Sequence, residues 1–217
     1  MMQIFEVLDS TQLEAKRQID VKEYLDNEII LARTQTAGIT TKENINWVSL
    51  KGNLLVSYVF NLNQWAQTTK NKNHIFFCVG LAIRDCIIFY NNNCNALIKW
   101  PNDIIVNKKK ICGTICDIYK NHLIIGVGLN LIKYSFNTHR FPATDLETET
   151  GIIVKPEHIA IEIQNKTKEY LSILYRNGFN VIKEKWKKYA YMIGEKIEIS
   201  DGNIIYFNDI DDDGNII

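Results

Sequence analysis

Lys99-Trp100-Pro101-Asn102-Asp103 sets a lysine four residues before a carboxylate, and Lys110 and Gly113 follow shortly after. A lysine ammonium is a compact charge suited to neutralising a carboxylate or phosphate oxygen at a reacting centre. The proline fixes a turn that delivers Asn102 and Asp103 to a strand start. A glycine at 113 opens the strand backbone to a ligand. The same residues also describe a hairpin with a solvated basic turn, and residue types alone leave both readings open. A second segment, Ile125-Gly126-Val127-Gly128-Leu129-Asn130, puts two glycines in a strand. Either a ligand lies flat on the sheet there or the strand bulges. It is not a dinucleotide fingerprint, because no third glycine opens a helix. A third set is Asp9-Ser10-Thr11-Gln12, Gln35-Thr36-Ala37-Gly38 and Trp47-Val48-Ser49. Ser10 and Thr11 suit either a helix cap or a ligand. Gln35 and Gly38 offer hydrogen bonds at a loop entry, and Trp47 fits the core or a pocket wall. No Ser-His-Asp or Cys-His nucleophile arrangement stands out.

The elements that must hold these residues alternate irregularly between strand and helix. Residues 11–25 are predicted helical, capped from Asp9, Ser10 or Thr11. Glu28 to Thr34 reads as a strand, and residues 35–46 as a long polar loop of the kind that is usually functional or disordered. Asn53 to Phe60 is a strand. Residues 75–90 carry Phe76, Val79, Ile83 and Ile87 at helical spacing. Four apolar runs follow, at 96–98, 104–106, 111–119 and 122–130. They are joined by hairpin-length linkers at 107–110 and 120–121, as in an antiparallel meander. Residues 156–177 and 179–190 read as helices split by Asn177-Gly178. Strands in runs point to an α+β fold. From about residue 194 the texture becomes short strands and tight turns, with Glu195 to Ile199, Ile204 to Phe207, and turns at Asp201-Gly202 and Asp211 to Gly214. About 24 residues cannot form a core alone, so this module must pack on the main domain or be incomplete.

Composition narrows the function classes. Of 217 residues, 46% are hydrophobic and 23% charged, and Lys plus Arg equals Asp plus Glu at 25 each. With no net charge there is no general field to gather nucleic acid or an anionic membrane. The five cysteines are odd in number, form no Cys-x-x-Cys pair and sit mostly in apolar runs, which argues for a reducing compartment. The four histidines have no zinc-ligand spacing. The N-terminus carries no signal-peptide pattern. The apolar stretch 75–90 is interrupted by Arg84 and Asp85 and falls short of a membrane span of roughly 20 residues. A cytoplasmic location is expected, with neither membrane nor nucleic acid as partner.

Taken together and in order, these segments resemble the biotin–protein ligase family, from about Asp9 to Asp145. KWPND, the following K-x-x-G and the later G-x-G-x-N carry the likeness, with Ala143-Thr144-Asp145-Leu146 as a further short motif. The resemblance implies a class II aminoacyl-tRNA synthetase-like catalytic domain: a mixed, mainly antiparallel sheet with flanking helices over residues 1–192. It implies an incomplete SH3-like β-module at 193–217. It further implies two steps: biotin is activated by ATP as biotinyl-adenylate, then passed to a lysine of a biotin carboxyl carrier domain of an acetyl- or propionyl-CoA carboxylase. On that basis Lys110 contacts the biotin carboxylate and α-phosphate, and Asp103 orients the incoming lysine or takes its proton. Asn102 and Asn130 lie at the nucleotide and its Mg2+, with no protein-only metal site. Ser10, Thr11 and Gln35 hold the ureido ring. Gly113, Gly126 and Gly128 make room for the bicycle, and Gly38, Trp47, Lys99 and Trp100 complete the substrate site. The family often dimerises through sheet edges. No helix-turn-helix precedes residue 9, so repression through DNA is not expected.

One departure stands out. The family's arginine-bearing loop after the Q-x-A segment is here Ile39 to Asn46, whose only cation is Lys42. A lysine lacks the planar two-pronged donor set of arginine, so a looser hold on the adenylate is expected. The alternatives are a non-catalytic remnant that binds biotin or a carrier, and a lipoate–protein ligase.

Overall fold

Alternation of apolar and small residues lets one sheet serve two faces. In a computed structural model, which describes all residues except 23–24, 42–45, 65–70, 134–141 and 199–201, seven strands form it. They are β1 (Met2–Leu8), β2 (Glu28–Gln35), β3 (Leu54–Asn61), β4 (Ala96–Lys99), β5 (Asp103–Val106), β6 (Lys109–Tyr119) and β7 (His122–Leu129). The spatial order is β1-β2-β3-β7-β6-β5-β4, and only β1 and β2 run parallel. The class is α+β, as the runs of strands predict.

On one face lies the larger core. Leu54, Val56, Tyr58 and Phe60 of β3 point there with Leu123, Ile125, Val127 and Leu129 of β7. They meet α2 (Lys72–Tyr90), α4 (Pro156–Asn177) and α5 (Phe179–Lys187). Helix α2 is long and apolar enough to cross a membrane, but here it is a core helix that buries ten residues, from Ile75 to Ile87. Each fully buried Leu, Ile or Phe contributes about 1.5–3 kcal/mol. The opposite face is covered by α1 (Thr11–Val21), whose Ala15 and Ile19 pack with Ile30, Val59 and Ile124. α1 is short, so the strand ends on that face run on beyond its N-terminus.

Several boundaries differ from the sequence reading. β1 was not expected: its MQIFEVL pattern is half exposed and it lies at the sheet edge. α1 stops at Val21, with Lys22 as its cap, and α2 starts at Lys72 because Asn71 caps it. α5 ends at Lys187. A short helix, α3 (Leu146–Thr150), was missed. Asp145 caps it through Thr148 N at 2.7 Å, and Gly151, at φ 76°, closes it. The β5–β6 turn is Asn107-Lys108, both at positive φ, so Lys109 and Lys110 belong to β6 and not to a linker.

The segment after α5 contributes β8 (Lys196–Glu198) and β9 (Ile204–Tyr206), paired as a separate small sheet. Ile199 and Asp201 of the expected strand and turn lie outside the described residues, as does Lys42 of the arginine-poor loop. Phe207 and Ile210 are buried in the larger core, so this module shares that core.

Candidate active site

The end of that face beyond the N-terminus of α1 is where the polar residues meet. Strand register sets them in rows. Ser57, Gly126 and Ile115 lie side by side on β3, β7 and β6. In the next row Leu55, Gly128, Gly113 and Asp103 follow one another from β3 to β5. The glycine row is a trough floored by backbone. Trp47 lies in it: a β-carbon on Gly113 would sit 2.9 Å from the indole, and one on Gly128 closer still. The two glycines therefore make room for an aromatic ring of the chain itself. A β-carbon on Gly126 would instead meet Ile115 at 2.7 Å and the Gln12 side-chain oxygen at 2.9 Å.

The β5–β6 register shifts between Ile104 and Ile105. A bulge adds a residue and re-aims what precedes it. Ile111 and Cys112 both turn into the larger core, and Lys110 thereby shares the open face with Gly113. Its Nζ is 2.6 Å from an Asp103 carboxylate oxygen and 5.5 Å from the centre of the Trp47 ring. The Ala143-Thr144-Asp145 segment braces this strand. Lys110 N donates to Pro142 O at 2.7 Å, and Thr144 N donates to Lys110 O at 3.0 Å.

At the other end of the trough is the N-terminus of α1. Ser10 is its cap, and its hydroxyl accepts from Gln12 N. Gln35 Oε1 accepts from Thr11 N at 2.7 Å and lies 3.1 Å from Thr11 Oγ1. Ser57 is fully buried, with Oγ 2.9 Å from both Thr11 Oγ1 and Gln12 Oε1. Gln12 Nε2 donates to Ile124 O, which turns its amide oxygen towards Ser57. The protons can be counted. Three contacts, Ser57–Gln12, Ser57–Thr11 and Thr11–Gln35, share two hydroxyl protons, so the floor has room for a donated hydrogen. The 35–38 segment is tied down by Thr36 N to Leu8 O and Ala37 N to Asp9 O, each 2.9 Å, and by Gln35 N to Ser49 Oγ at 2.7 Å. Trp47 N donates to Gly38 O at 2.9 Å.

Together these residues line a half-open cleft. Of the residues expected in the site, Ser10, Thr11, Gln35, Trp47, Asn102, Lys110, Gly113, Gly126 and Gly128 line it, and Asp103 abuts it through Lys110. Gly38 stands just behind, against Trp47 and Gln35. Three further expected residues do not line it. Trp100 turns away and donates its indole hydrogen to Gly214 O at 2.9 Å. Asn130 is buried, its side chain bound to Thr144 O and facing Asn53. Lys99 closes the β4–β5 pairing opposite Asp103. Gln12 and Ser57 were given no role from sequence, yet they form the floor. Ser57 is the one small polar side chain in the apolar run Leu54–Phe60, which is a signal that could have found it.

Among the described residues no group of three His, Cys, Asp or Glu side chains is arranged to hold a metal ion.

Comparison with known proteins fits this geometry. The profile of the biotin/lipoate A/B protein ligase family matches residues 4–130. The chain is 26% identical over 201 residues to the biotin–(acetyl-CoA-carboxylase) ligase of Paracoccus denitrificans, covering 87% of this chain and 82% of that protein. It is 30% identical over 135 residues to the bifunctional ligase/repressor BirA of Bacillus spizizenii. That match takes in 54% of this chain and only 39% of the relative's length. The solved biotin protein ligase from Aquifex aeolicus in complex with biotin and ATP superposes with a TM-score of 0.84 at 21% identity, over 98% of this chain and 89% of that one. A biotin acetyl coenzyme A carboxylase synthetase from Helicobacter pylori with bound biotinylated ATP gives 0.71 at 19%, over 100% and 95%. These two show a shared fold. With the family profile spanning more than half of its residues, the chain belongs to the biotin/lipoate A/B protein ligase family.

Proposed function

We propose that this chain activates biotin with ATP as biotinyl-5′-AMP and transfers it to a lysine of a biotin carboxyl carrier domain of an acetyl- or propionyl-CoA carboxylase. The observation that carries biotin rather than lipoate is the proton-short floor of Thr11, Gln12, Gln35 and Ser57. A ureido ring offers N–H donors and a carbonyl acceptor there. A dithiolane ring offers no N–H donor, so the one contact that lacks a proton would stay unpaired beneath it, at about 1–3 kcal/mol. The name of the Paracoccus relative and the biotin and ATP bound in the Aquifex structure support the same reading.

In the first step a biotin carboxylate oxygen attacks the α-phosphorus, and the bond to the leaving pyrophosphate breaks. Two anions must approach, and Lys110 is the cation on the open face that offsets their repulsion. In the second step a neutral carrier amine attacks the acyl carbonyl and AMP leaves with the electron pair of the cleaved C–O bond. The surplus ammonium proton passes to a base, and the Asp103 carboxylate beside Lys110 is the group at hand. Asn102 shapes the wall between them: its side chain donates to Thr114 O at 2.6 Å, and its carbonyl accepts from Thr114 N. Magnesium would arrive with the ATP phosphates and neutralise their charge. Among the described residues there is no acidic cage for it, and the Asn130 amide expected near it is engaged with Thr144.

The test is to incubate the chain with biotin, Mg-ATP and a carrier domain and weigh the carrier. A gain of one biotin that vanishes without ATP supports the reading. Biotin binding in calorimetry without transfer would make the chain a non-catalytic binder. Transfer of lipoate instead would overturn the substrate assignment.

A further inference from the structure

Trp100 sits in the middle of the KWPND turn, yet its side chain faces away from the cleft, to the far C-terminal turn. Gly214 O accepts from its indole Nε1 at 2.9 Å. That turn is itself clasped. The Asp211 carboxylate accepts from the backbone N–H groups of Asp213 and Asn215. Asn71 and Asn73, at the start of α2, donate to Asp213 O at 2.8 and 3.0 Å. The His74 ring meets Asp212 O at 2.8 Å, and Lys183 of α5 pairs with the Asp212 carboxylate at 2.7 Å. Gly214, at φ 82°, has no space for a side chain, because a β-carbon would lie 2.7 Å from that of Asn73. The turn is thus a fixed anchor, and Trp100 is the KWPND residue bonded to it. Two residues on, Asn102 forms the cleft wall through Thr114, and Asp103 holds Lys110.

We propose that Trp100 is a positioning residue: its bond to the Gly214 carbonyl registers the C-terminal turn against the loop that carries Asn102 and Asp103. The state of that turn then sets turnover and leaves biotin affinity alone, because the biotin floor hangs from α1, β2 and β3 and not from the KWPND loop. This rests on the ligase reading above for its kinetic arm only.

The key variant is Trp100→Phe, which keeps an aromatic ring and removes the N–H donor. A lost neutral hydrogen bond corresponds to roughly a three- to tenfold change. The expected result is a fall of that size in kcat, with KM for biotin within about twofold, and faster amide hydrogen exchange at Thr114, whose N–H is held by Asn102 O. Asn73→Ala loosens the turn without touching Trp100. If both act through one anchor, the double variant is no slower than the worse single variant. Additive losses, or a loss appearing in KM for biotin, would overturn the proposal. Unchanged exchange at Thr114 would overturn it too, whether or not the chain transfers biotin. Were wild-type transfer itself absent, the exchange measurements on the intact chain would still decide this point separately from the ligase reading. Thermal unfolding of each variant separates a loosened loop from global unfolding.

Discussion

Replacing Lys110 by alanine is the sharpest perturbation of the proposed chemistry. At an effective dielectric constant of about 20, two unit charges about 4 Å apart interact by about 4 kcal/mol. A carboxylate and an α-phosphate brought to bonding range repel on that scale, and an ammonium facing both offsets most of it. Part of the Lys110 charge is already spent on Asp103, 2.6 Å away, and both side chains are partly open to water, at 29% and 20% exposure. About 3 kcal/mol remains, a fall on the order of 10²-fold in adenylation. The same exposure keeps the ion pair's share of folding stability at about 1 kcal/mol or less. The assay is single-turnover pyrophosphate release with saturating biotin, alongside calorimetric biotin binding. Adenylation is expected to drop by that factor, with biotin affinity within about threefold, because the floor of Thr11, Gln12, Gln35 and Ser57 is untouched. Adenylation within threefold of wild type would refute the assignment. So would a loss of biotin affinity as large as the loss of rate.

Other outcomes follow from the same geometry. Ser57→Ala leaves the Gln12 amide oxygen buried without its donor, so biotin affinity and stability should each fall by about 1–3 kcal/mol, read by calorimetry and urea unfolding. Gly128→Ala would drive a methyl into the Trp47 ring; overpacking should cost about 1–3 kcal/mol in urea unfolding and displace the indole from the trough. All five cysteines are free and buried. Burial pushes the Cys86 thiol up to about 12 and raises those of Cys78, Cys112 and Cys116 further, so a thiol titration should find no fast-reacting group until the chain is denatured. Burial also holds the His122 imidazole below its ordinary range. Above about pH 6.5 it is neutral folded or unfolded. Below that, the unfolded chain takes up a proton that the folded chain refuses, so stability falls with pH. His122→Gln should flatten that part of a stability–pH curve, and an unchanged slope would rule His122 out as its source.

Much of the scaffold was legible because the hydrophobic period was clear. The continuous apolar run Leu54 to Phe60 has the length of a strand, and Phe76, Val79, Ile83 and Ile87 have the spacing of a helix. What escaped was decided by neighbours. β1 becomes a strand because β2 offers a parallel partner at the sheet edge, and half of its residues stay in water, so its own pattern is weak. Helix α3 has one buried residue and exists through its two caps. In the site, residue types announced Lys110, Gly126 and Gly128 but not what fills the space beside them. The glycines at 113 and 128 predict close approach, and the approaching group in this structure is Trp47, some 60–80 residues away in sequence.

Lys110, expected in the site and found there, and Trp100, expected there and found facing away, show why spacing alone cannot assign a site. In a regular strand Lys110 would share a face with Cys112, which is buried in the larger core. A buried unpaired ammonium there would cost several kcal/mol. The bulge between Ile104 and Ile105 removes that conflict by sending both Ile111 and Cys112 inward and leaving Lys110 beside Asp103. Trp100 is the converse case. It lies inside the most chemically suggestive run of the chain, and the family resemblance places it in the substrate site. Its indole hydrogen is nevertheless committed to Gly214, a residue 114 positions further on. One residue reaches the cleft through an irregularity of the backbone. The other serves the cleft by facing away from it. The first depends on a bulge within its own hairpin and the second on a turn 114 residues away, and neither is written in the spacing of the motif.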